Sequence, residues 1–243
     1  MMSVNMIGST TGRKLLYLLL GLFYVVSLSS LSYGDTDLGF QMNVQDKGEL
    51  NRIVSEAEKV LAKNPKDKDS LLKLGMAYHN LANLGVRDVA AKGVDYLKQA
   101  DKLYPDDPLI LAVLGSVVTI LGREASNMVD KMRYVNEGTP LIDRAVNKAP
   151  DNVYIRLIRS DNSAGIPKMF GRNHFAKEDL LHIEGIIKRA PKEVPVSFQA
   201  KVYYKLGNVF KSEKDSSTAK SHFKKAAELS PDSEWGKKAK AEL

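Results

Sequence analysis

The stretch that decides the fold runs from residue 200 to residue 233 and reads AKVYYKLGNVFKSEKDSSTAKSHFKKAAELSPDS. Apolar and small residues recur in it at helical spacing, in two groups: Tyr203, Leu206, Gly207 and Phe210, then Ala219, Phe223 and Ala226. Each group falls on one side of a helix, so the small residues let two helices approach while the aromatic rings fill the space beside them. Pro231 ends the second helix because proline lacks an amide donor and disfavours helical geometry in the preceding residue.

These eight landmark positions resemble the consensus of the tetratricopeptide repeat (TPR) family in residue type and in spacing. The resemblance implies an all-α fold, a short right-handed superhelical solenoid of TPR-like helix pairs. It also implies a concave groove lined by the first helix of each pair, a surface with which this family binds proteins or peptides.

Two earlier copies keep the landmarks but differ in length. One contains Leu74-Gly75 and ends at Pro105, and the next contains Leu114-Gly115 and ends at Pro150. A third copy, residues 152–191, has the apolar spacing of two helices but no Leu-Gly pair. Self-similarity of this kind is the mark of a repeat architecture. We therefore expect TPR-like helical repeats over residues 48–231.

Single helices are expected on both sides of the full repeats. Residues 48–63 read as the second helix of an incomplete repeat, and residues 232–243 as a capping helix that contains Trp235. An open-ended solenoid needs a polar cap to cover its last apolar face. Residues 35–47 are then a linker that leads into the repeats.

Three segments depart from a regular repeat. The copy with Gly115 has 11 additional residues relative to the last copy, close to three helical turns, which predicts a long helix over residues 126–148. This helix is expected to bend or restart near Gly138-Thr139-Pro140, because an internal proline breaks the hydrogen-bond ladder. We also expect a longer loop around residues 84–88 and an irregular apolar loop over residues 164–175.

The first 34 residues have the order of a secretory signal peptide. Arg13-Lys14 precedes an uninterrupted apolar run over residues 15–26, and a Ser-rich stretch with small residues leads to Gly34. An alternative is an uncleaved anchor, since the apolar segment read as residues 15–33 reaches the length of a membrane span. Both interpretations predict export, to the periplasm or the cell exterior, and the anchor is the inner-membrane alternative.

Composition excludes several classes of protein. The chain has no cysteine, which excludes disulfides, thiolate metal sites, a cysteine nucleophile and an acylated lipoprotein cysteine. Its 36 basic and 29 acidic residues give a net charge of +7, but no basic run is dense enough for a nucleic-acid arm. We expect no nucleic-acid partner, and a membrane contact only through the N-terminal segment if that segment is retained.

No recognised catalytic motif is present. The four histidines lack the HExxH pattern and the i, i+4 pairing of a helical zinc site, and no glycine-rich phosphate loop or nucleophile elbow occurs. The sequence therefore predicts a protein that is not an enzyme, with no metal and no cofactor.

The resemblance to the TPR family also implies which residues face the groove, by projection of the family's consensus positions onto the first helices. The implied partner-binding residues are Leu72, Met76, His79, Leu109, Ser116, Tyr154, Asp161, Lys201, Tyr204, Asn208 and Lys211. This mixture of an apolar strip and a basic end would suit an apolar helix face or an extended peptide with an acidic end. We expect a scaffold that binds a protein or peptide partner and helps to assemble an envelope complex.

Two further hypotheses concern the irregular loop. As an alternative function, the loop walls a pocket that carries a small apolar ligand, with Met169 and Phe170 in that wall. Arg172 of the same loop is expected to approach Arg156 and Arg159, in ion pairs with acidic residues nearby in the sequence: Asp161, Glu178 and Asp179. An anion site formed by the three arginines is the other interpretation of this cluster.

Overall fold

The computed structural model describes residues 44–243, and these residues form ten α-helices, one short 3-10 helix and no strand. The all-α prediction is confirmed for this part of the chain. The proposed signal segment 1–34, the alternative anchor 15–33 and most of the linker lie outside the described residues. None of the described helices is long and apolar enough to cross a membrane. The helices are α1 Lys47–Lys63, α2 Lys68–Asn83, α3 Ala90–Leu103, α4 Pro108–Glu124, α5 Met128–Lys148, α6 Val153–Gly165, α7 Asn173–Arg189, α8 Val196–Ser212, α9 Ser216–Leu229 and α10 Glu234–Lys240.

The helices associate in sequence order as a solenoid. Four pairs form, α2 with α3, α4 with α5, α6 with α7 and α8 with α9, and in each pair we refer to a first and a second helix. Helix α1 packs on α2 before the first pair, and α10 packs on α9 after the last pair. The first helices α2, α4 and α6 also contact one another in order, which is the arrangement expected of stacked repeats.

Tripeptides that begin with proline recur between the repeats, and they set where one helix ends and the next begins. Helices α1, α3, α5, α7 and α9 each end two residues before a proline, which cannot continue the helix. In three of these turns the second residue after the proline is Asp67, Asp107 or Asn152. Each of these side chains accepts a hydrogen bond from a main-chain N–H in the first turn of the following helix. Three residues thus end one helix and cap the next.

A glycine lets the two helices of the last pair approach closely. A Cβ atom added at Gly207 of α8 would lie 2.4 Å from the ring of Phe223 on α9, a distance that real side chains do not tolerate. The Phe223 side chain is only 1% exposed. The expected packing of an aromatic ring against a small residue is therefore confirmed in this pair.

Apolar side chains form two large clusters that meet at α6. Ile155 and Ile158 of α6 belong to the first cluster, which is built from α2 to α6. Val153 and Leu157 of the same helix belong to the second cluster, which continues through α9 to Ala239 of α10. Helix α6 therefore connects the two halves of the core.

The long helix is present, but it does not restart at its proline. Helix α5 is continuous through Pro140, where a bend or a new helix was expected. Gly138 lies against Gly115 of α4, and the Thr139 hydroxyl donates to the Val135 carbonyl at 2.9 Å, so the two residues before the proline are held in place. Pro140 itself is exposed, and water can satisfy the carbonyl that its missing amide leaves free.

Ion pairs hold the segment between α6 and α7. The buried carboxylate of Asp179 accepts hydrogen bonds from Arg156 and Arg159 of α6, at 2.7 to 2.8 Å. Arg172 pairs with Asp143 of α5 instead of the expected neighbours, with two hydrogen bonds of 2.7 and 2.8 Å. The expectation for Asp161 was wrong, because its carboxylate contacts Lys205 at 2.7 Å. The arginines thus have a structural role that ties α5, α6 and α7 together.

Candidate functional site

A pocket opens on the side of the solenoid formed by the first helices. Its volume is about 900 Å³, including the mouth that is open to solvent. Four first helices and Ile166, the residue just after α6, supply its walls, and we call it the groove pocket. The lining residues are Met76, His79, Asn80, Asn83, Val113, Ser116, Thr119, Ile120, Arg123, Leu157, Ile158, Asp161, Asn162, Gly165, Ile166 and Lys201.

The walls of the groove pocket combine an apolar floor with many hydrogen-bonding groups. The floor consists of buried residues: Met76 and Ile120 belong to the first large cluster and Leu157 to the second. Hydroxyl, amide and charged side chains form the rest of the lining. Such a surface can bury the apolar side chains of a ligand and also satisfy polar groups of its backbone.

His79 lies in the polar wall, and its surroundings favour the neutral form. Its Nε2 lies 2.9 Å from the Ser116 hydroxyl, and its Nδ1 lies 3.1 Å from Oδ1 of Asn80. Since Oδ1 is only an acceptor, Nδ1 carries the proton and Nε2 accepts from the serine. Burial lowers the pKa of His79, which favours this uncharged form.

Ser116 and His79 share the hydrogen bond of a nucleophile and its base, but the surroundings do not support catalysis. Ser116 lies in the interior of α4, where main-chain amides are already used in the helix. No pair of free amides therefore stands beside its hydroxyl to stabilise an oxyanion. No group of acidic or histidine side chains among the described residues has the arrangement of a metal site.

Lys201 forms one end of the groove pocket. The side chain is 6% exposed, and its ammonium lies 5.3 Å from the centre of the Trp235 ring. Burial lowers the pKa of Lys201 to about 8, while the nearby carboxylate of Asp161 opposes this shift. Trp235 of the capping helix thus positions a cation in the groove.

Arg123 and Asn162 complete the polar lining. The Arg123 guanidinium donates to Oδ1 of Asn83 at 3.0 Å and to the Ala82 carbonyl at 3.1 Å. Asn162 donates to the Thr119 hydroxyl, while its buried Oδ1 accepts no hydrogen bond within the described part of the chain.

Five of the residues predicted from the sequence line the groove pocket: Met76, His79, Ser116, Asp161 and Lys201. The remaining six lie elsewhere. Leu72 and Tyr154 are buried in the two large clusters, and Leu109 packs partly against the first one. Tyr204 packs between Phe223 and Trp235, Asn208 is half-buried on the same helix, and exposed Lys211 pairs with Glu242.

The residues predicted from the irregular loop do not wall this pocket. Met169 is 72% exposed, Phe170 is half-buried and Arg172 pairs with Asp143, and none of the three belongs to the lining. Helix α7 begins at Asn173, so the loop is shorter than expected, and only Gly165 and Ile166 reach the pocket. The three loop residues predicted for an apolar-ligand carrier therefore lie outside the groove pocket.

Four polar residues of the lining were not predicted from the sequence: Asn80, Asn83, Arg123 and Asn162. Asn83 and Arg123 stand one helical turn after His79 and Thr119, and so extend the same helix face beyond the consensus positions. That i, i+4 spacing was an available signal for these two residues. Asn80 and Asn162 lie beside the consensus positions that face the groove. Only the packing of adjacent first helices brings them to the pocket.

Comparisons with known proteins agree with this architecture. The family model described as tetratricopeptide repeat matches residues 200–233. The crystal structure of TTC0263, a thermophilic TPR protein of Thermus thermophilus, superposes with a TM-score of 0.65 at 16% identity. The match covers 86% of this chain and 98% of that one, and at this identity it establishes the fold alone.

Other matches are more distant. A crystal structure of MamA shares 20% identity over 86% of this chain and 98% of its own, with a TM-score of 0.46. A structure of MamA from AMB-1 shares 19% identity over 83% of this chain and 100% of its own, with a TM-score of 0.45. No curated protein matches the sequence significantly.

Proposed function

Since this chain is a tetratricopeptide-repeat protein, we propose that it is a scaffold that binds an extended segment of a partner protein in the groove pocket. The observation that carries the proposal is the pocket itself, which is built by first helices of consecutive repeats. The TPR fold is consistent with protein–protein interaction, and the groove pocket adds a specific site to this property of the fold.

The chemistry of the pocket supports a peptide as the ligand. A peptide backbone presents N–H and C=O groups at regular intervals, and the lining offers both acceptors and donors, such as Asp161 and Asn83. Apolar side chains of the peptide would lie on Met76, Ile120 and Leu157. A segment bound in this way orders few protein side chains, because those of the floor are already buried.

Photocrosslinking in the native cell tests this proposal. A photoreactive residue replaces exposed Asn83 at the pocket, and the control replaces Lys98, exposed on the second helix α3. We expect the Asn83 variant to crosslink to one defined segment of one protein, identified by mass spectrometry, and the Lys98 variant not to do so. Identical crosslinks from both positions, or none from Asn83, would contradict groove binding.

We also propose that the chain is exported and that it helps to assemble a complex in the cell envelope. The support is the order of charges, apolar run and small residues within residues 1–34. Cell fractionation with N-terminal sequencing tests it. An exported chain that begins at Asp35 supports a cleaved signal, an intact chain in the inner membrane supports the anchor, and an intact chain in the cytosol contradicts export.

A further inference from the structure

The described part of the chain begins at one edge of the groove pocket. Val44, its first residue, is 7% exposed and packs in one cluster with Ala77 and Leu81 of α2. The Val44 carbonyl accepts a hydrogen bond of 3.3 Å from Nδ2 of Asn80, whose Oδ1 lies 3.1 Å from Nδ1 of His79. Asn80 and His79 both line the pocket. The chain that precedes Val44 therefore starts from the α2 side of the pocket.

Residues 38–43, which are joined covalently to this edge, read LGFQMN. Leu38, Phe40 and Met42 alternate with small or uncharged polar residues, and the segment carries no charge. In an extended chain, every second side chain points to the same side. The three apolar side chains would then form one row, and the removal of such a row from water is favourable. Both fates proposed for residues 1–34, cleavage and retention, leave this segment attached.

The groove pocket offers a matching surface within reach of this segment. Its apolar floor has Met76 on α2, Ile120 on α4 and Leu157 on α6, and these first helices contact one another in order. Packed helices lie about 8–10 Å apart, and an extended chain advances about 3.3 Å per residue. Residues 38–43 can therefore span about two helix spacings, from α2 across α4 to α6. The polar wall beside the floor can form hydrogen bonds with an extended backbone.

We propose that residues 38–43 fold back along the groove pocket as an extended intramolecular ligand, with the Leu38, Phe40 and Met42 side chains on the apolar floor. A segment held by so short a connection has an effective concentration in the millimolar range, so a weak contact is enough to keep it bound. The groove pocket thus selects an extended, uncharged segment in which apolar residues alternate. A partner segment of this kind displaces the chain's own segment, and this last step alone rests on the partner binding proposed above.

Photocrosslinking within the purified full chain tests the occupancy. A photoreactive phenylalanine derivative replaces Phe40, and in the control it replaces Lys59, which is exposed on α1. We expect the Phe40 variant to crosslink to pocket-lining parts of α2, α4 or α6 in its own chain, and the Lys59 variant not to do so. A mixture of isotope-labelled and unlabelled chains shows by mass spectrometry whether a crosslink joins one molecule or two. No crosslink from Phe40, crosslinks outside the pocket, or crosslinks only between two molecules would overturn the proposal.

Methyl NMR of the full chain gives a second measurement. Phe40→Ser removes the largest apolar side chain of the segment, and Gln41→Ser is the matched control on the opposite side of an extended chain. Phe40→Ser should shift the methyl signal of Met76 and leave that of exposed Met128 unchanged, whereas Gln41→Ser should change neither. The synthetic peptide LGFQMN should bind Phe40→Ser about tenfold more tightly than the wild type, as expected when the chain's own segment fills the pocket for about 90% of the time. Thermal unfolding verifies that both variants are folded. An unchanged Met76 signal in Phe40→Ser, or equal affinities of the two chains for the peptide, would contradict the occupancy.

The outcomes separate the two proposals. If Phe40 crosslinks to the pocket of its own chain and the Asn83 variant captures no partner in the cell, the occupancy stands and partner binding is wrong. If the Asn83 variant captures a partner and Phe40 does not crosslink to the pocket of its own chain, partner binding stands and the occupancy is wrong.

Discussion

At the scale of single residues, Gly207 sets how closely α8 and α9 approach. Substitution Gly207→Ala places a methyl group against the buried Phe223 ring, and we expect it to destabilise the chain by about 2 kcal/mol. Gly185→Ala is the matched control in another helix, since the nearest neighbour of its added methyl group is the end of Arg189 at 3.5 Å. Gly185→Ala should stabilise the chain by about 0.5 kcal/mol, because alanine has a higher helix propensity than glycine. Urea unfolding measures both, and equal effects would contradict the packing described here.

The Asp179 carboxylate is a second residue whose removal has a clear expected cost. It is fully buried and accepts three hydrogen bonds from Arg156 and Arg159. We expect Asp179→Asn to lower the free energy of unfolding by about 3 kcal/mol, because two buried guanidinium groups lose their counter-charge. The control Asp151→Asn removes an exposed ion pair with His182. It should change the free energy of unfolding by less than about 1 kcal/mol. Similar losses in the two variants would disagree with this account.

Lys201 makes the stability depend on pH in a direction opposite to that of most lysines. Its folded-state pKa, about 8, lies below the unfolded value of about 10.4. Between these values the unfolded chain binds more protons, so Lys201 contributes stability that increases as the pH rises through this window. The slope should be shallower in Lys201→Met than in the wild type when both are unfolded with urea from about pH 7.5 to about pH 10.5, a range that spans both pKa values. An identical slope would show that Lys201 is not desolvated in the folded chain.

At the scale of helices, α5 has an internal proline without an interruption. We expect Pro140→Ala to stabilise the chain by about 1 kcal/mol, because the new amide restores a hydrogen bond at an exposed position. Pro108 stands in the first turn of α4, where an amide has no helical partner, so Pro108→Ala should give no gain. Thermal unfolding compares the two variants. A loss of stability in Pro140→Ala would mean that the proline shapes α5 in a way that the packing needs.

The sequence predicted these elements well where a local rule decides them. The spacing of small and aromatic residues indicated the pair α8–α9, and the recurrent prolines indicated where the second helices end. The additional length of α5 followed from the length of its copy: α5 has 21 residues and α9 has 14, a difference of about two turns, and the C-terminal part of α4 takes up the rest of the additional residues. The continuity of α5 through Pro140 could not be predicted from the sequence, because it depends on the contact of Gly138 with Gly115. No local pattern indicates a contact between residues that are distant in the sequence.

The lining of the groove pocket was also predictable only where a local sequence rule decides it. Consensus positions identified Met76, His79 and Lys201, because the register of a helix fixes which side faces the groove. Burial of Leu72 and Tyr154 depends on how neighbouring helices pack, and a single helix face does not report it. The pairing of Arg172 with Asp143 likewise joins residues 29 positions apart.

At the scale of the whole molecule, the groove pocket exists because consecutive first helices lie side by side. Met76 comes from α2, Ser116 from α4, Asp161 from α6 and Lys201 from α8, so no single repeat contains the site. A partner segment that contacts all four helices would hold the repeats in one arrangement. Binding is therefore expected to raise the melting temperature of the full chain.

The central claim, that a partner peptide binds in the groove pocket, is tested most directly by methyl NMR of the methionines. A peptide selected from a random display library for binding to the full chain is titrated while the methyl signals of Met76, Met128 and Met169 are followed. Met76 lines the pocket, whereas Met128 and Met169 are exposed outside its lining and serve as internal controls. We predict that the Met76 signal shifts to saturation while the other two remain unchanged. Saturable binding that shifts Met128 or Met169 and leaves Met76 unchanged would contradict the account.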